Sequence, residues 1–399
     1  DSQRRMVQNA RTLLKRVKAL SDADRNALAD VTMNRCALVR VVVNDKDQGF
    51  KVFRVLNTRG KEPGAHDIIK TELFQRSKFT TEEASFYSER WAEHEAALGG
   101  SAFDDLLRQI RSIYDKSSKG ELITGFLKNV IPKITARGFL DDVLPRYVAA
   151  YKIITTANLD TGPHAKLISD KLNQMRALDQ TSWRAPALKF LVEHGVEHES
   201  APEFFTKLER LSYIIMLVLT DRDQRTKRFN KVNENIGNSR TLYGRGSPFN
   251  ITKDESRRAF DRMLGRFATF GQRRSMALRL NAALDGGFTI APQSDATVEH
   301  VLPRNISEDS HWMITWPDPA KRREQCDTLG NFVLLTNKVN QKADRLDYRA
   351  KKEVYFNGGG GQDFALTRDL VDQEAWTSEV VRKRTERLAE ILMMEWSLA

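Results

Sequence analysis

The feature that most constrains the fold is a set of polar residues placed within two short apolar runs towards the C-terminal end. Residues 297–303 read Thr-Val-Glu-His-Val-Leu-Pro, and residues 329–335 read Leu-Gly-Asn-Phe-Val-Leu-Leu. Residues 298–301 and 332–335 look like short strands, and residues 347–355 look like a helix. We therefore predict the order strand, long loop, strand, helix.

Glu299 and His300 are neighbours on the first predicted strand. Because side chains alternate along a strand, the two point to opposite sides of it. A carboxylate in this position can bind a cation while the imidazole acts on the other side of the strand. Asn331 precedes the second strand, and Asn340 follows nine positions later at the entry to the helix. An ordinary strand pair with asparagines in turns is the alternative, but it does not account for the whole combination.

This combination resembles the HNH, or ββα-metal, nucleases. The resemblance implies that Glu299 and Asn340 are metal ligands. It also implies that His300 is the general base and that Asn331 braces the loop. Lys351, on the helix that follows, is expected to contact a phosphate near the metal and to assist catalysis.

Hydrolysis of a phosphodiester explains why these residue types are needed. The reaction requires a deprotonated water and a cation that stabilises charge on the phosphorus and the leaving oxygen. Mg²⁺ or Mn²⁺ is the expected metal, since a hard cation prefers oxygen ligands and keeps several waters, so two protein ligands suffice. Histidine, with an ordinary pKa near ~6.5, suits the role of base near neutral pH.

A second pattern lies in residues 52–60, which read Val-Phe-Arg-Val-Leu-Asn-Thr-Arg-Gly, and in residues 67–70, which read Asp-Ile-Ile-Lys. A loop with a glycine, an arginine fork and an exposed asparagine can cradle phosphate oxygens. The pattern resembles the N-terminal domain of the GmrSD-like restriction proteins, a ParB/sulfiredoxin-like fold that binds a nucleoside triphosphate. The nucleotide contacts that the resemblance implies are Asn57, Thr58, Arg59, Gly60, Asp67, Lys70 and Arg5.

The nature of the nucleotide stays open between GTP, ATP and another triphosphate. Residues 1–5, Asp-Ser-Gln-Arg-Arg, stand where the family has an Asp-Gly-Gln-Gln-Arg motif. Ser2 replaces the glycine and Arg4 replaces a glutamine, which leaves nucleotide hydrolysis open. A turn that ends a helix is the alternative interpretation of residues 57–60. Because the chain opens abruptly at Asp1, we expect an upstream part of this domain.

The charge balance favours a partner with a phosphate backbone. The formal net charge is +11, from 64 basic and 53 acidic residues, which suits double-stranded DNA. Two groups of basic residues are a phosphate-tracking surface or, equally, the solvated faces of helices, and both interpretations stay open. The groups are Arg222, Arg225, Lys227, Arg228 and Lys231, and Arg257, Arg258, Arg262, Arg266, Arg273, Arg274 and Arg279.

The two cysteines, Cys36 and Cys326, are far apart and form no CxxC pattern. They indicate a reducing compartment and no disulfide framework. The longest apolar run, residues 213–219, is far short of the ~20 residues that a membrane span needs. We therefore expect a cytoplasmic protein with no membrane partner, and a homo-oligomer is left open.

The sequence predicts a mainly α chain with small β parts, an α+β protein. Residues 1–78 are assigned to part of the ParB-like domain, residues 79–240 to a helical domain, and residues 241–399 to the HNH nuclease domain. The last helix, residues 378–396, is expected to close the C-terminal core. One of its faces carries Val381, Thr385, Leu388, Leu392 and Trp396.

These resemblances imply a restriction endonuclease of anti-phage defence that acts on foreign DNA, often with modified bases. The expected reaction is metal-dependent hydrolysis, regulated by nucleotide binding in the first domain. The alternative is a nucleotide-sensing, DNA-binding regulator whose nuclease fold is vestigial.

Overall fold

The structure, a computed structural model, describes residues 2–37, 42, 64–115, 121–287, 290, 294–357 and 361–398. Over these residues the chain is built of helices and one antiparallel pair of strands. The predicted fold class, mainly α with small β parts, is confirmed. None of the described helices is both long enough and apolar enough to span a membrane.

The chain forms two compact units, Asp1–Asp104 and Asp105–Ala399. The three predicted domains have other boundaries, and that division stays a prediction. A π-helical turn, Val31–Arg35, follows the second helix. The helices that begin in the first unit are α1 Ser2–Lys18, α2 Asp22–Asp30, α3 Ala65–Ser77, α4 Thr81–Leu98 and α5 Gly100–Tyr114.

The start of α4 is fixed by a capping box, as the Thr80–Glu83 spacing requires. The Glu83 amide donates to the Thr80 hydroxyl over 3.2 Å, and the Thr80 amide donates to the Glu83 carboxylate over 3.0 Å. Within the first unit, Trp91 and Phe103 meet edge to face, with ring centroids 5.1 Å apart. Both rings are buried, so α4 and the first turn of α5 share a core.

The second unit carries the two strands and the remaining helices. The strands are β1 Ala296–His300 and β2 Phe332–Thr336. A π-helical turn, Phe139–Val143, and a 3₁₀ turn, Leu329–Asn331, accompany them. The helices are α6 Leu122–Asn129, α7 Ile131–Ile134, α8 Ala136–Gly138, α9 Leu144–Thr156, α10 Ala165–Arg176, α11 Arg184–His194, α12 Ala201–Val218, α13 Arg222–Asn235, α14 Ser239–Tyr243, α15 Lys253–Leu264, α16 Phe270–Leu284, α17 Trp312–Thr315, α18 Pro319–Gln325, α19 Asn337–Ala343, α20 Tyr348–Asn357, α21 Ala365–Arg368 and α22 Ser378–Glu395.

Helix α16 supports the sheet, because it packs against both strands and against α21 and α22. The predicted apolar face of α22 is buried from Val381 to Trp396. The expectation that this helix closes the C-terminal core is therefore confirmed.

Tryptophans anchor the long connection between the strands. Trp312 and Trp316 are buried in one apolar cluster with Trp376. The Trp316 indole donates to the Trp376 carbonyl over 2.7 Å, and the Trp312 indole donates to the Leu346 carbonyl over 3.0 Å. Helices α17 and α18 lie within this connection, so its course is fixed by packing.

Candidate active site

The two strands place Glu299 and His300 in different surroundings. They pair antiparallel, with Glu299 opposite Val333 and His300 opposite Phe332. Because neighbours on a strand face opposite sides, the Glu299 side chain meets α20. The His300 ring instead faces the segment that leads into β2, where it contacts Asp327.

One pocket of about 490 Å³ brings the predicted site residues together. Glu299, His300 and Asn340 all line it. The other residues of its wall are Pro303, Arg304, Asn305, Asn337, Gln341, Asp344 and Arg345. Residues that carry a carboxylate, an imidazole and an amide thus line the same pocket, although they come from β1 and α19.

The Glu299 carboxylate is held from the side of α20. The Lys351 ammonium and the Tyr355 hydroxyl, the latter at 3.1 Å, both donate to Oε1. Neither contact uses Oε2. Burial raises the pKa of Glu299, and the charge and hydrogen bond of Lys351 oppose that rise.

Lys351 lies in a different place from the one that its predicted role requires. Its side chain is 0% exposed, and its ammonium also donates to the His300 carbonyl over 2.9 Å. The predicted contact of Lys351 with a phosphate is therefore wrong, because α20 turns this residue towards β1 and away from solvent. In this structure Lys351 is the counter-ion that fixes Glu299.

Asp327 is a site residue that sequence reasoning missed. Its Oδ1 lies 3.1 Å from His300 Nε2. Arg304 Nε donates to the same oxygen over 3.0 Å, and Arg266 donates to Oδ2 over 3.0 Å. Burial by itself raises the pKa of Asp327, but the hydrogen bonds from His300, Arg304 and Arg266 outweigh it and hold the pKa well below its usual range.

The His300 ring is half-buried against Phe332 and Asp327. Burial lowers its pKa, and the hydrogen bond with Asp327 works in the opposite direction. An ionised carboxylate only accepts hydrogen bonds, so Nε2 carries a proton. Among the described residues, none hydrogen-bonds Nδ1, which leaves that nitrogen as the basic atom of the neutral ring.

Asn331 has the contacts that a brace of the loop needs. Its amide oxygen accepts from the Leu302 backbone over 2.8 Å and from the Trp376 indole over 2.9 Å. Its amide nitrogen donates to the carbonyls of Leu302, at 3.0 Å, and Cys326, at 2.8 Å. Asn331 therefore ties the exit of β1 to the residue next to Asp327.

Asn340 lies within α19, a separate helix before α20, instead of at the entry to the predicted helix. Its amide nitrogen donates to the Thr297 hydroxyl over 2.8 Å and approaches the Val298 carbonyl at 3.4 Å. These bonds do not use the amide oxygen. Carboxylate and amide oxygens in the wall of an open pocket are a donor set that suits Mg²⁺ or Mn²⁺.

The predicted nucleotide contacts are not brought together in the described part of the chain. Residues 57–60 lie outside it, and Arg5 belongs to α1. On α3, the Asp67 carboxylate accepts from the Gly64 amide over 2.9 Å, and the Lys70 ammonium donates to the Ser88 hydroxyl over 2.9 Å. The nucleotide site stays a prediction.

The basic groups divide between surface and core. Arg279 is buried and donates to the Glu209 carboxylate over 2.8 Å. Arg273 is also buried and donates to the Phe267 carbonyl over 2.8 Å. Neither can track a phosphate or form a solvated face, because α16 is enclosed by its neighbours. Arg222, Lys227, Lys231 and Arg257 are exposed.

The sheet, the pocket and the braced loop all lie within residues 251–391. This stretch matches the family model described as "GmrSD restriction endonucleases, C-terminal domain". This part of the chain is therefore similar to a restriction-endonuclease domain, a class of nuclease that acts on DNA. The match covers less than half of the chain, and the likeness is to this C-terminal domain alone. A comparison with curated proteins finds no match.

Proposed function

We propose that this chain is a metal-dependent DNA endonuclease that hydrolyses phosphodiester bonds in the pocket between β1 and α19. The observation that carries the proposal is the shared pocket of Glu299, His300 and Asn340 inside the restriction-endonuclease domain. A base and oxygen donors for a cation, facing one space, are what this hydrolysis needs.

In the proposed reaction His300 removes a proton from the attacking water. The lowered pKa keeps the ring neutral near pH 7, and Asp327 holds it in the tautomer whose Nδ1 accepts the proton. The imidazolium that forms is stabilised by the Asp327 carboxylate at 3.1 Å. The histidine of a serine protease depends on a buried aspartate in the same way.

Glu299 and Asn340 would hold Mg²⁺ or Mn²⁺ through the carboxylate and the amide oxygen. When bound, the ion supplies positive charge that stabilises the transferring phosphoryl group and the leaving oxygen. Lys351 keeps Glu299 in one orientation and favours its ionised form. Lys351 is thus a positioning residue, and it does not contact the substrate.

DNA phosphates are proposed to approach through the cationic side of the pocket. Arg304 and Arg345 line this side, and both are exposed. The net charge of +11 supports attraction of the duplex. Such contacts give affinity without sequence information.

The biological role that we propose is restriction of phage DNA, with modified bases as its preferred target. Regulation by GTP, ATP or another triphosphate is part of the same proposal. The family of residues 251–391 supports the restriction role. The likeness of residues 52–60 and 67–70 to a nucleotide-binding motif supports the regulation.

Cleavage of supercoiled plasmid tests the proposal. Wild-type protein with Mg²⁺ or Mn²⁺ should cut, and EDTA should stop the reaction. Glu299→Gln should lose activity, whereas Glu353→Gln, which changes an exposed carboxylate on α20, should keep it. DNA binding without cleavage under every metal and nucleotide tried would instead favour a DNA-binding regulator with a vestigial nuclease fold.

A further inference from the structure

A second group of possible ligands lies in the first unit and shares no residue with the nuclease pocket. His66 is 7% exposed, and its Nδ1 lies 2.7 Å from Asp104 Oδ1. The same oxygen accepts the His66 backbone amide over 2.9 Å. Because the Asp104 carboxylate only accepts, Nδ1 carries a proton, and Nε2 of the neutral ring has a lone pair.

That lone pair faces two carboxylates. His66 Nε2 lies 3.4 Å from Glu95 Oε1 and 3.7 Å from Asp67 Oδ2. In the described part of the chain, Nε2 lies within ion-pair distance of both carboxylates but forms a hydrogen bond with neither. A lone pair directed at two negative groups is unfavourable unless a cation or a proton lies between them.

The spacing matches a tetrahedral metal ion. Zinc bonds to histidine nitrogen and carboxylate oxygen are about 2.0–2.2 Å long, so two tetrahedral ligand atoms are about 3.3–3.6 Å apart. The two measured separations from Nε2 are close to this range. The three ligand atoms of His66, Asp67 and Glu95 all lie within 4.8 Å of one another.

Two of the three side chains, His66 and Asp67, are held in place by their surroundings. The Gly64 amide donates to Asp67 Oδ2 over 2.9 Å. A Cβ atom at Gly64 would lie 2.2 Å from His66 Cε1, so the ring occupies space that only glycine leaves free. Asp104 orients the ring through Nδ1, which is the usual arrangement behind a zinc-bound histidine.

The charge balance also favours a divalent cation. Asp67, Glu95 and Asp104 are carboxylates, and Lys70 is a nearby ammonium that interacts with Asp67 and Glu95. Lys70 offsets part of their negative charge, and its hydrogen bond goes to Ser88. An imidazole in the ligand set favours zinc over magnesium, which prefers oxygen ligands only.

We propose that His66, Asp67 and Glu95 bind Zn²⁺, with water as the fourth ligand and Asp104 as the orienting group. The site joins the first turn of α3 to the last turn of α4. It gives Asp67 a different ligand from the nucleotide predicted above. Bound zinc should stabilise this unit, since ligand binding to the folded state alone raises its stability.

Zinc titration of the EDTA-treated full chain tests the site. The Glu299→Gln chain is the background, so that the nuclease pocket does not contribute. This chain should bind one equivalent of zinc, and Glu95→Gln should weaken binding at least about tenfold. Glu93→Gln changes an exposed carboxylate on the same helix and should bind as the background does. Co²⁺ in place of zinc should give the absorption of a tetrahedral site, which Glu95→Gln loses.

Three results would overturn the proposal. They are no zinc binding at micromolar concentration, equal binding by the Glu95→Gln and Glu93→Gln chains, or an octahedral cobalt spectrum. The first would mean that His66 contacts its carboxylates with no metal ion between them. Glu95 is partly exposed, so its substitution should leave folding intact, and circular dichroism checks this. Asp104→Asn is a second variant, which should weaken zinc binding ~10–100-fold.

Discussion

The Lys351 ammonium binds Oε1 of Glu299, and both side chains are almost fully removed from solvent. The pair connects α20 to β1 directly behind the pocket. An ionised carboxylate in this position depends on its counter-ion, because burial alone favours its neutral form. The orientation and charge of the proposed metal ligand are therefore set by a residue that solvent cannot reach.

Lys351→Met should weaken metal binding and destabilise the protein. Without the ammonium, the pKa of Glu299 rises further, so the carboxylate becomes protonated as the pH falls through that higher value and cleavage needs more Mg²⁺. Loss of one partner of a buried ion pair costs about 3–5 kcal/mol. Metal titrations of cleavage at several pH values and denaturant unfolding measure the two effects. Lys321→Met, at an exposed position, is the control, and an unchanged Mg²⁺ requirement in Lys351→Met would contradict the account.

Asp327→Asn should lower the cleavage rate and shift the acid limb of the pH–rate profile. Cleavage needs the neutral His300 ring, so the rate falls as the pH drops through its pKa. Burial already lowers that pKa, and Asp327 raises it. Without the Asp327 charge the limb moves to lower pH, while the weaker base lowers the plateau at least about tenfold. pH–rate profiles at saturating metal measure both, with Asp309→Asn as the exposed control. A limb that stays in place or moves to higher pH would mean that Asp327 does not act on His300.

Arg345→Gln should weaken DNA binding without affecting stability. Arg345 lines the pocket and is exposed. Loss of one phosphate contact should reduce the slope of log affinity against log salt by about 1. Fluorescence anisotropy at several salt concentrations measures the slope. Arg349→Gln, exposed on α20 and outside the pocket wall, should keep the wild-type slope; the same slope in both variants would remove Arg345 from the DNA contact.

Asn331→Ala should destabilise the C-terminal unit by about 3 kcal/mol or more, because it leaves several buried backbone and indole groups unpaired. Denaturant unfolding measures the change. Asn357→Ala, at the exposed end of α20, should change the stability little. A loss below about 1 kcal/mol for Asn331→Ala would mean that other contacts hold the loop.

Local patterns predicted the framework of the site. The predicted strands, 298–301 and 332–335, lie within the observed Ala296–His300 and Phe332–Thr336, apart from Val301. The predicted helix 347–355 corresponds to Tyr348–Asn357. These elements are visible in sequence because each has an apolar run or period of its own.

Contacts between distant segments could not be read in the same way. Asp327 meets His300 only because Asn331 and the tryptophans fix the course of the loop between them. The burial of Lys351 depends on which face α20 turns to β1. In both cases packing between distant segments determines which groups meet. The sequence around a single charged residue does not indicate its partner.

The most direct test of the central claim is single-turnover cleavage of plasmid DNA by His300→Ala in Mg²⁺. We predict a loss of ~10²–10⁴-fold in rate, the range that a general base contributes. DNA affinity should stay close to that of the wild type, whereas thermal stability should fall somewhat, because the ring's contacts with Phe332 and Asp327 are lost. Cleavage at the wild-type rate by the His300→Ala protein would contradict the account.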